Sequence, residues 1–145
     1  MDRIPLLIAV VVALPFIAFG QSESNCPRQL EYVHRNQVDP PVITLNAVQG
    51  RATDKQNEPV PEVCVALFTE KSHRFVTQVS VDNRGSFKFG RVPPGHYVLV
   101  ARVREYDYFC PVNARIRIRR SRRRTRLVLH MVLAAIDVCS WADTK

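Results

Sequence analysis

The sequence predicts an all-β fold, a seven-stranded antiparallel sandwich, on three observations. Beyond residue 43 apolar residues recur with period two in short runs. Clusters of Pro, Gly, Asn and Asp separate the runs, and no segment sustains a helical period.

The elements follow in chain order. Residues 1–20 open with Met1, Asp2 and Arg3, run apolar over 4–19 with one interruption at Pro15, and end on Gly20 before a polar stretch. This is the pattern of a secretory signal peptide, and Ala18 and Gly20 supply the small residues for cleavage after Gly20. A single-pass signal anchor is the rival reading, because Asp2 offsets Arg3. Against it, the run falls short of the roughly 20 apolar residues that span a bilayer. Residues 21–43 are polar, carry Pro27, Pro40 and Pro41, and read as an extended N-terminal arm.

Residues 44–53 form the first expected strand and 54–61 a loop containing Pro59 and Pro61. The second strand, 62–69, places Val63, Val65 and Leu67 on one face and Cys64, Ala66 and Phe68 on the other. Glu70, Lys71 and Ser72 turn the chain into a third strand, 73–81, with Phe75 and Val79 facing one way. Asp82-Asn83-Arg84-Gly85 is a tight turn, since Asn tolerates and Gly favours positive φ. A short strand over 86–89 then directs Phe87 and Phe89 to one side. After Val92-Pro93-Pro94-Gly95, residues 96–104 alternate with two largely apolar faces, as a central strand does. Strands over 113–120 and 125–133 close the sandwich, joined as a hairpin at 121–124. The organisation is thus a signal peptide at 1–20, the arm at 21–43, the sandwich at 44–136 and a C-terminal tail at 137–145. The mature chain of about 125 residues is one domain by size.

Four cysteines, Cys26, Cys64, Cys110 and Cys139, lie in the exported part, where an even count favours disulfides. Three connectivities are open; pairing Cys64 with Cys110 and Cys26 with Cys139 would tether both tails, and one bridge with two thiols is the alternative. None of the cysteines falls at the short spacing of a zinc knuckle.

The outstanding chemical feature is basic. With 21 Lys and Arg against 13 Asp and Glu the net charge is +8, and Arg115, Arg117, Arg119, Arg120, Arg122, Arg123, Arg124 and Arg126 crowd into one segment. Ile116 and Ile118 interleave with Arg115, Arg117 and Arg119, so one strand face is apolar and the other a row of guanidiniums. Such a ribbon can grip phosphates, sulfated or uronic glycans or lipid head groups by bidentate contacts. The alternative is that the charges protect sheet edges and aid solubility. Export disfavours nucleic acid, and no interleaved exposed aromatics build a stacking platform. Tyr106, Tyr108 and Phe109 form an aromatic loop before Cys110 that either binds a ligand, a sugar or protein, or caps the core. Trp141 near Cys139 carries the same alternatives.

The ordered set Gly50-Arg51-Ala52-Thr53-Asp54, Pro59-Val60-Pro61, Asp82 to Phe89, and Val92-Pro93-Pro94-Gly95-His96-Tyr97 resembles the carboxypeptidase regulatory-like domain. The resemblance covers residues 48–104 clearly and implies a transthyretin-like (prealbumin-like) Greek-key sandwich. It further implies a non-catalytic module of exported bacterial proteins, here standing without a peptidase neighbour. Glu62, where the family commonly has a small residue, the arm with Cys26, and the arginine-rich segment depart from the pattern.

Chemistry is sparse. His34, His73, His96 and His130 are isolated, and no His-x-x-Glu pair of the associated zinc peptidases is present. The Tyr-Arg-Gly-Ser ending of hydroxyisourate hydrolases, which share the fold, is absent, as is a Gly-x-Ser-x-Gly nucleophile turn. The expected function is therefore a non-catalytic accessory or protein-interaction module, without cofactor or metal, secreted or periplasmic, and without a stable membrane span after cleavage. Its partner would be a protein or an anionic glycan at the cell envelope. The alternatives are carbohydrate or polyanion binding through the arginine-rich hairpin and aromatic loop and, least favoured, a small hydrolase.

Overall fold

The computed structural model describes Cys26 and residues 28–32, 41–104, 109–121, 125–133 and 140–145. The proposed signal peptide falls outside them. Every regular element among the described residues is a strand. They are β1 (Ile43–Leu45), β2 (Gln49–Thr53), β3 (Val63–Thr69), β4 (Phe75–Ser80), β5 (Ser86–Lys88), β6 (Gly95–Val103), β7 (Val112–Ile118), β8 (Leu127–His130) and β9 (Trp141–Thr144). They form a five-stranded sheet ordered β1-β7-β6-β3-β4 and a four-stranded sheet ordered β5-β2-β8-β9.

The core lies between the sheets. Val63, Val65, Leu67, Leu99, Ala114, Ile116 and Ile118 enter it from one, and Ala52, Phe87, Leu127 and Leu129 from the other. Period two explains the choice, since each of these alternates with residues on the opposite face. Phe87 and Phe89 meet edge to face, with ring centroids 6.3 Å apart. As the two apolar faces of residues 96–104 imply, β6 is central, flanked by β3 and β7.

Three corrections concern the strands. Among the described residues there are nine strands where seven were expected, and the sheets are mixed rather than antiparallel, because β1 runs parallel to β7 and β2 parallel to β8. The physical cause is a break at Asn46 and Ala47 in what reads as one strand, which lets the chain leave one sheet and join the other. The arginine-rich segment is consequently not a hairpin: β7 pairs with β6 and β1, and β8 with β2 and β9, in different sheets. Finally, Phe75 and Val79 do not share a face. A bulge between Leu67 and Phe68 sets Phe68 opposite Phe75 and Leu67 opposite Thr77, so Val76 is the extra residue and Phe75 turns outward. Trp141–Thr144 in the tail adds an edge strand against β8.

The turns that punctuate the sequence are built as their residues require. Asp82 Oδ1 accepts from the N–H groups of Arg84 (2.9 Å) and Ser86 (2.8 Å), and Gly85 takes φ 75°. Asp54 Oδ1 does the same for Gln56 and Glu58, both at 2.9 Å. Glu62, at the position where the family pattern is commonly small, has φ 61°.

In the Pro-Pro-Gly corner the Tyr97 hydroxyl donates to the Pro93 carbonyl at 2.9 Å, and the ring lies against Gly95. Burial pushes the Tyr97 phenol above its ordinary value. The folded state therefore keeps a proton that the unfolded chain releases above about pH 10, and stability falls as pH rises through that window. Tyr97→Phe is expected to lose about 1 kcal/mol at neutral pH with the hydrogen bond. The deficit relative to the parent should shrink above about pH 10, read from urea midpoints across pH.

Candidate functional site

The face of the five-stranded sheet that points away from the core is where chemistry gathers. Its lower rows are apolar: Ala66, Phe68, Val98 and Val100 form a second buried cluster, with Leu30 and Tyr32 of the arm packed on it. The arm is held in three ways. Cys26 is bonded to Cys64. The Leu30 N–H donates to Gln78 Oε1 at 3.0 Å, and Gln78 Nε2 donates to the Arg28 carbonyl at 3.2 Å. Tyr32 stacks on His73 at 3.9 Å and meets Phe68 edge to face at 5.6 Å. The arm thus lies along β3 and covers apolar surface that a solvated sheet face would not otherwise carry.

This overturns both preferred disulfides, Cys64 with Cys110 and Cys26 with Cys139, since Cys64 is already joined to Cys26. Parity is the reason. Cys64 shares the outward face with Ala66 and Phe68, beneath the arm, whereas buried Cys110 donates its N–H to the Val132 carbonyl. Cys139 lies outside the described residues.

Beside the covered strip stand the cations. Along β7 Val112, Ala114, Ile116 and Ile118 are buried, while Asn113, Arg115 and Arg117 alternate outward, as the interleaving of arginine and isoleucine predicts. Arg117 is exposed, with His96 of β6 and Thr44 of β1 as its cross-strand neighbours. Arg119 and Arg120 follow just beyond the strand and are exposed, and the Arg119 backbone N–H donates to the Leu45 carbonyl. Arg115 is partly neutralised: its Nε donates to Glu70 Oε1 at 2.7 Å, and the other oxygen of Glu70 lies 3.4 Å from His96 Nδ1.

β6 adds Arg102, opposite Cys64, and Arg104 follows it with its N–H on the Glu62 carbonyl. With Arg28 of the arm they line one cavity. These three were not singled out from the sequence. Arg102 shares the parity of Val98 and Val100, but only the pairing of β6 with β3 shows which face that is.

The remaining site residues fall elsewhere. Arg126 is exposed on the other sheet, exchanging backbone hydrogen bonds with Lys145. Arg122, Arg123, Arg124, Tyr106 and Tyr108 lie outside the described residues. Phe109 packs against the main core and bridges to Leu133, the arrangement of a capping residue. Trp141 is exposed on β9 and stacks on its cross-strand neighbour His130, with ring centroids 4.7 Å apart. Among the described residues no three His, Cys, Asp or Glu side chains gather in a way that could hold a metal.

The turn geometry of Asp82 to Gly85, the Pro-Pro-Gly corner seated under Tyr97 and the sandwich around them have a counterpart among known families. The model of the carboxypeptidase regulatory-like domain matches residues 47–130, from just before β2 to the end of β8. The chain belongs to the carboxypeptidase regulatory-like domain family. Domains of this family are non-catalytic β-sandwich modules, and the matched span includes both Gly50 and the Asp82 turn. The arm, the disulfide partner Cys26 and β9 lie outside the match. No curated protein matches the chain.

Proposed function

We propose that this carboxypeptidase regulatory-like domain is an exported, non-catalytic accessory module that docks an anionic partner at the cell envelope through the outward face of its five-stranded sheet. The observation that carries the reading is the row Arg117, Arg119 and Arg120, exposed on and just beyond β7, where alternation with buried isoleucines fixes the side on which Arg117 stands. An exposed arginine pre-organises a planar fork of donors for carboxylate, sulfate or phosphate, and its association with a polyanion is salt-dependent. Export is supported by the N-terminal pattern and by a disulfide, which persists in oxidising compartments. Among the described residues no helix is long and apolar enough to cross a membrane.

Retention of the mature protein on heparin and on polyuronate columns across a salt gradient tests this. Arg117→Ser with Arg119→Ser is expected to elute earlier, with the slope of retention against salt reduced by about one for each arginine lost. Changing Arg122, Arg123 and Arg124 to Ser measures the share of the intervening segment. Equal retention of parent and variants removes the arginine row from the function. Loss on one column only identifies an anionic glycan class as the partner, whereas no retention of the parent on either directs the search to acidic proteins.

A further inference from the structure

We propose that Trp141 and His130, on the outward face of the four-stranded sheet, form a second binding site, a stacking platform for a neutral pyranose sugar. β9 reaches the core through Ala142, which packs against the main cluster. By alternation Trp141 and Asp143 stand on the opposite face, and both are exposed. Trp141 is 43% exposed, so the sandwich is closed without it. One side of its indole lies against His130, with ring centroids 4.7 Å apart and planes 20° from parallel. β9 ends the sheet order, and no described strand pairs beyond it. The exposed surface of the indole therefore lies away from His130, at the sheet edge.

That surface has the chemistry a sugar ring requires. The face of an indole carries negative π density, and the C–H groups along one side of a pyranose are its complement. Because His130 already holds the ring, a ligand laid on it orders little that is not ordered beforehand. Hydroxyl groups at the rim need donors and acceptors. The ring nitrogens of His130 and Trp141 make no hydrogen bond to a described residue. Asp143, next on the same face, accepts from the Thr144 N–H through Oδ1 at 2.6 Å, and its second carboxylate oxygen can accept from a sugar hydroxyl. Thr53, third in the row after Trp141 and His130, is buried, which confines the accessible surface to β8 and β9 and suits a short oligosaccharide.

Charge selects against acids at this place. Asp143, opposite Val128, is the ionised group of β9 in the row beside the indole, while Arg126 and Lys145 stand one row farther. Arg51, on the other side of Val128, gives its Nη2 to the Arg84 carbonyl. A carboxylate or sulfate laid on Trp141 meets Asp143 first and is repelled, whereas a neutral sugar gains a hydrogen bond. The platform belongs to the other sheet from the arginine row on β7, and β9 lies beyond the family match, which ends at His130.

The test is the intrinsic fluorescence of the mature protein, since Trp141 is the only tryptophan of the chain. It is titrated with cellotetraose, a neutral β-linked glucan, and with β-linked tetraglucuronate, its carboxylated counterpart. A saturable emission shift is expected with cellotetraose and a weaker response with tetraglucuronate. Trp141→Ala, followed by isothermal titration because its emission is gone, is expected to lose measurable binding while strand circular dichroism persists. Asp143→Asn, an exposed substitution outside the core, should weaken cellotetraose about tenfold and narrow its advantage over tetraglucuronate. Arg117→Ser with Arg119→Ser should leave cellotetraose binding unchanged while lowering heparin retention, which separates this site from the row on β7. No saturable shift with cellotetraose, tighter binding of tetraglucuronate, undiminished binding by Trp141→Ala, or an equal loss in the β7 variant would each overturn the proposal.

Discussion

Gly50→Ala is expected to prevent folding at 37 °C, with a stability loss above about 4 kcal/mol, beyond the usual range for a point substitution. A Cβ built at Gly50 lies 1.9 Å from the backbone oxygen of Leu127 and 2.7 Å from its carbonyl carbon. Gly50 and Leu127 are paired in the parallel β2–β8 ladder, so the obstruction is backbone and cannot move as a side chain tip would. Relief requires separating β2 from β8, which also strips Ala52, Leu127 and Leu129 of their packing in the core. Since a domain of this size has only about 5–15 kcal/mol to lose, one such separation is decisive. Gly90→Ala is the control: nothing lies within 4 Å of its added carbon, and a change within about 0.5 kcal/mol is expected. Chemical denaturation of the two variants, or soluble yield where Gly50→Ala does not fold, measures the contrast.

Replacing Cys26 and Cys64 by Ser is the second large effect. The bridge spans 38 residues, and removing a cross-link of that length restores about 4 kcal/mol of loop entropy to the unfolded chain. A second loss follows in the folded state, because the arm carries Leu30 and Tyr32 onto Ala66, Phe68, Val98 and Val100. The expected result is a sandwich that still forms but unfolds at markedly lower urea concentration. It should also bind a hydrophobic dye that the parent does not. The double variant and the reduced parent should agree. An unchanged midpoint contradicts the clamp, and peptide mapping under non-reducing conditions should recover the Cys26 and Cys64 peptides joined.

Much of the fold is legible because its signals are local. Val63, Val65 and Leu67 alternate against Cys64, Ala66 and Phe68, and both sets are buried as two faces, one against the core and one against the arm. The Asp82 turn and the Pro-Pro-Gly corner carry their geometry in their own residues. What was not legible depends on partners distant in sequence. Residues 43–53 show no Gly or Pro at the point where β1 ends, and which strand each half pairs with is set by β7 and β8, some seventy residues later. Phe75 is misassigned because a bulge shifts parity without leaving a trace in composition.

For the site, the β7 face is readable from Arg-Ile alternation, but its extension to Arg102, Arg104 and Arg28 is not, since it requires the register of β6 on β3 and the course of the arm. The disulfide could have been approached through parity: Cys64 belongs with Ala66 and Phe68 on the outward face, away from buried Cys110.

The outward face of the five-stranded sheet is proposed as the binding face. Amide chemical-shift mapping during titration with a heparin oligosaccharide tests it most directly. Shifts concentrated on residues 113–120, with His96 and Thr44 beside them, are the predicted result. Shifts concentrated instead on β9 and β8, around Trp141 and His130, or spread without locality over both sheets, would contradict it.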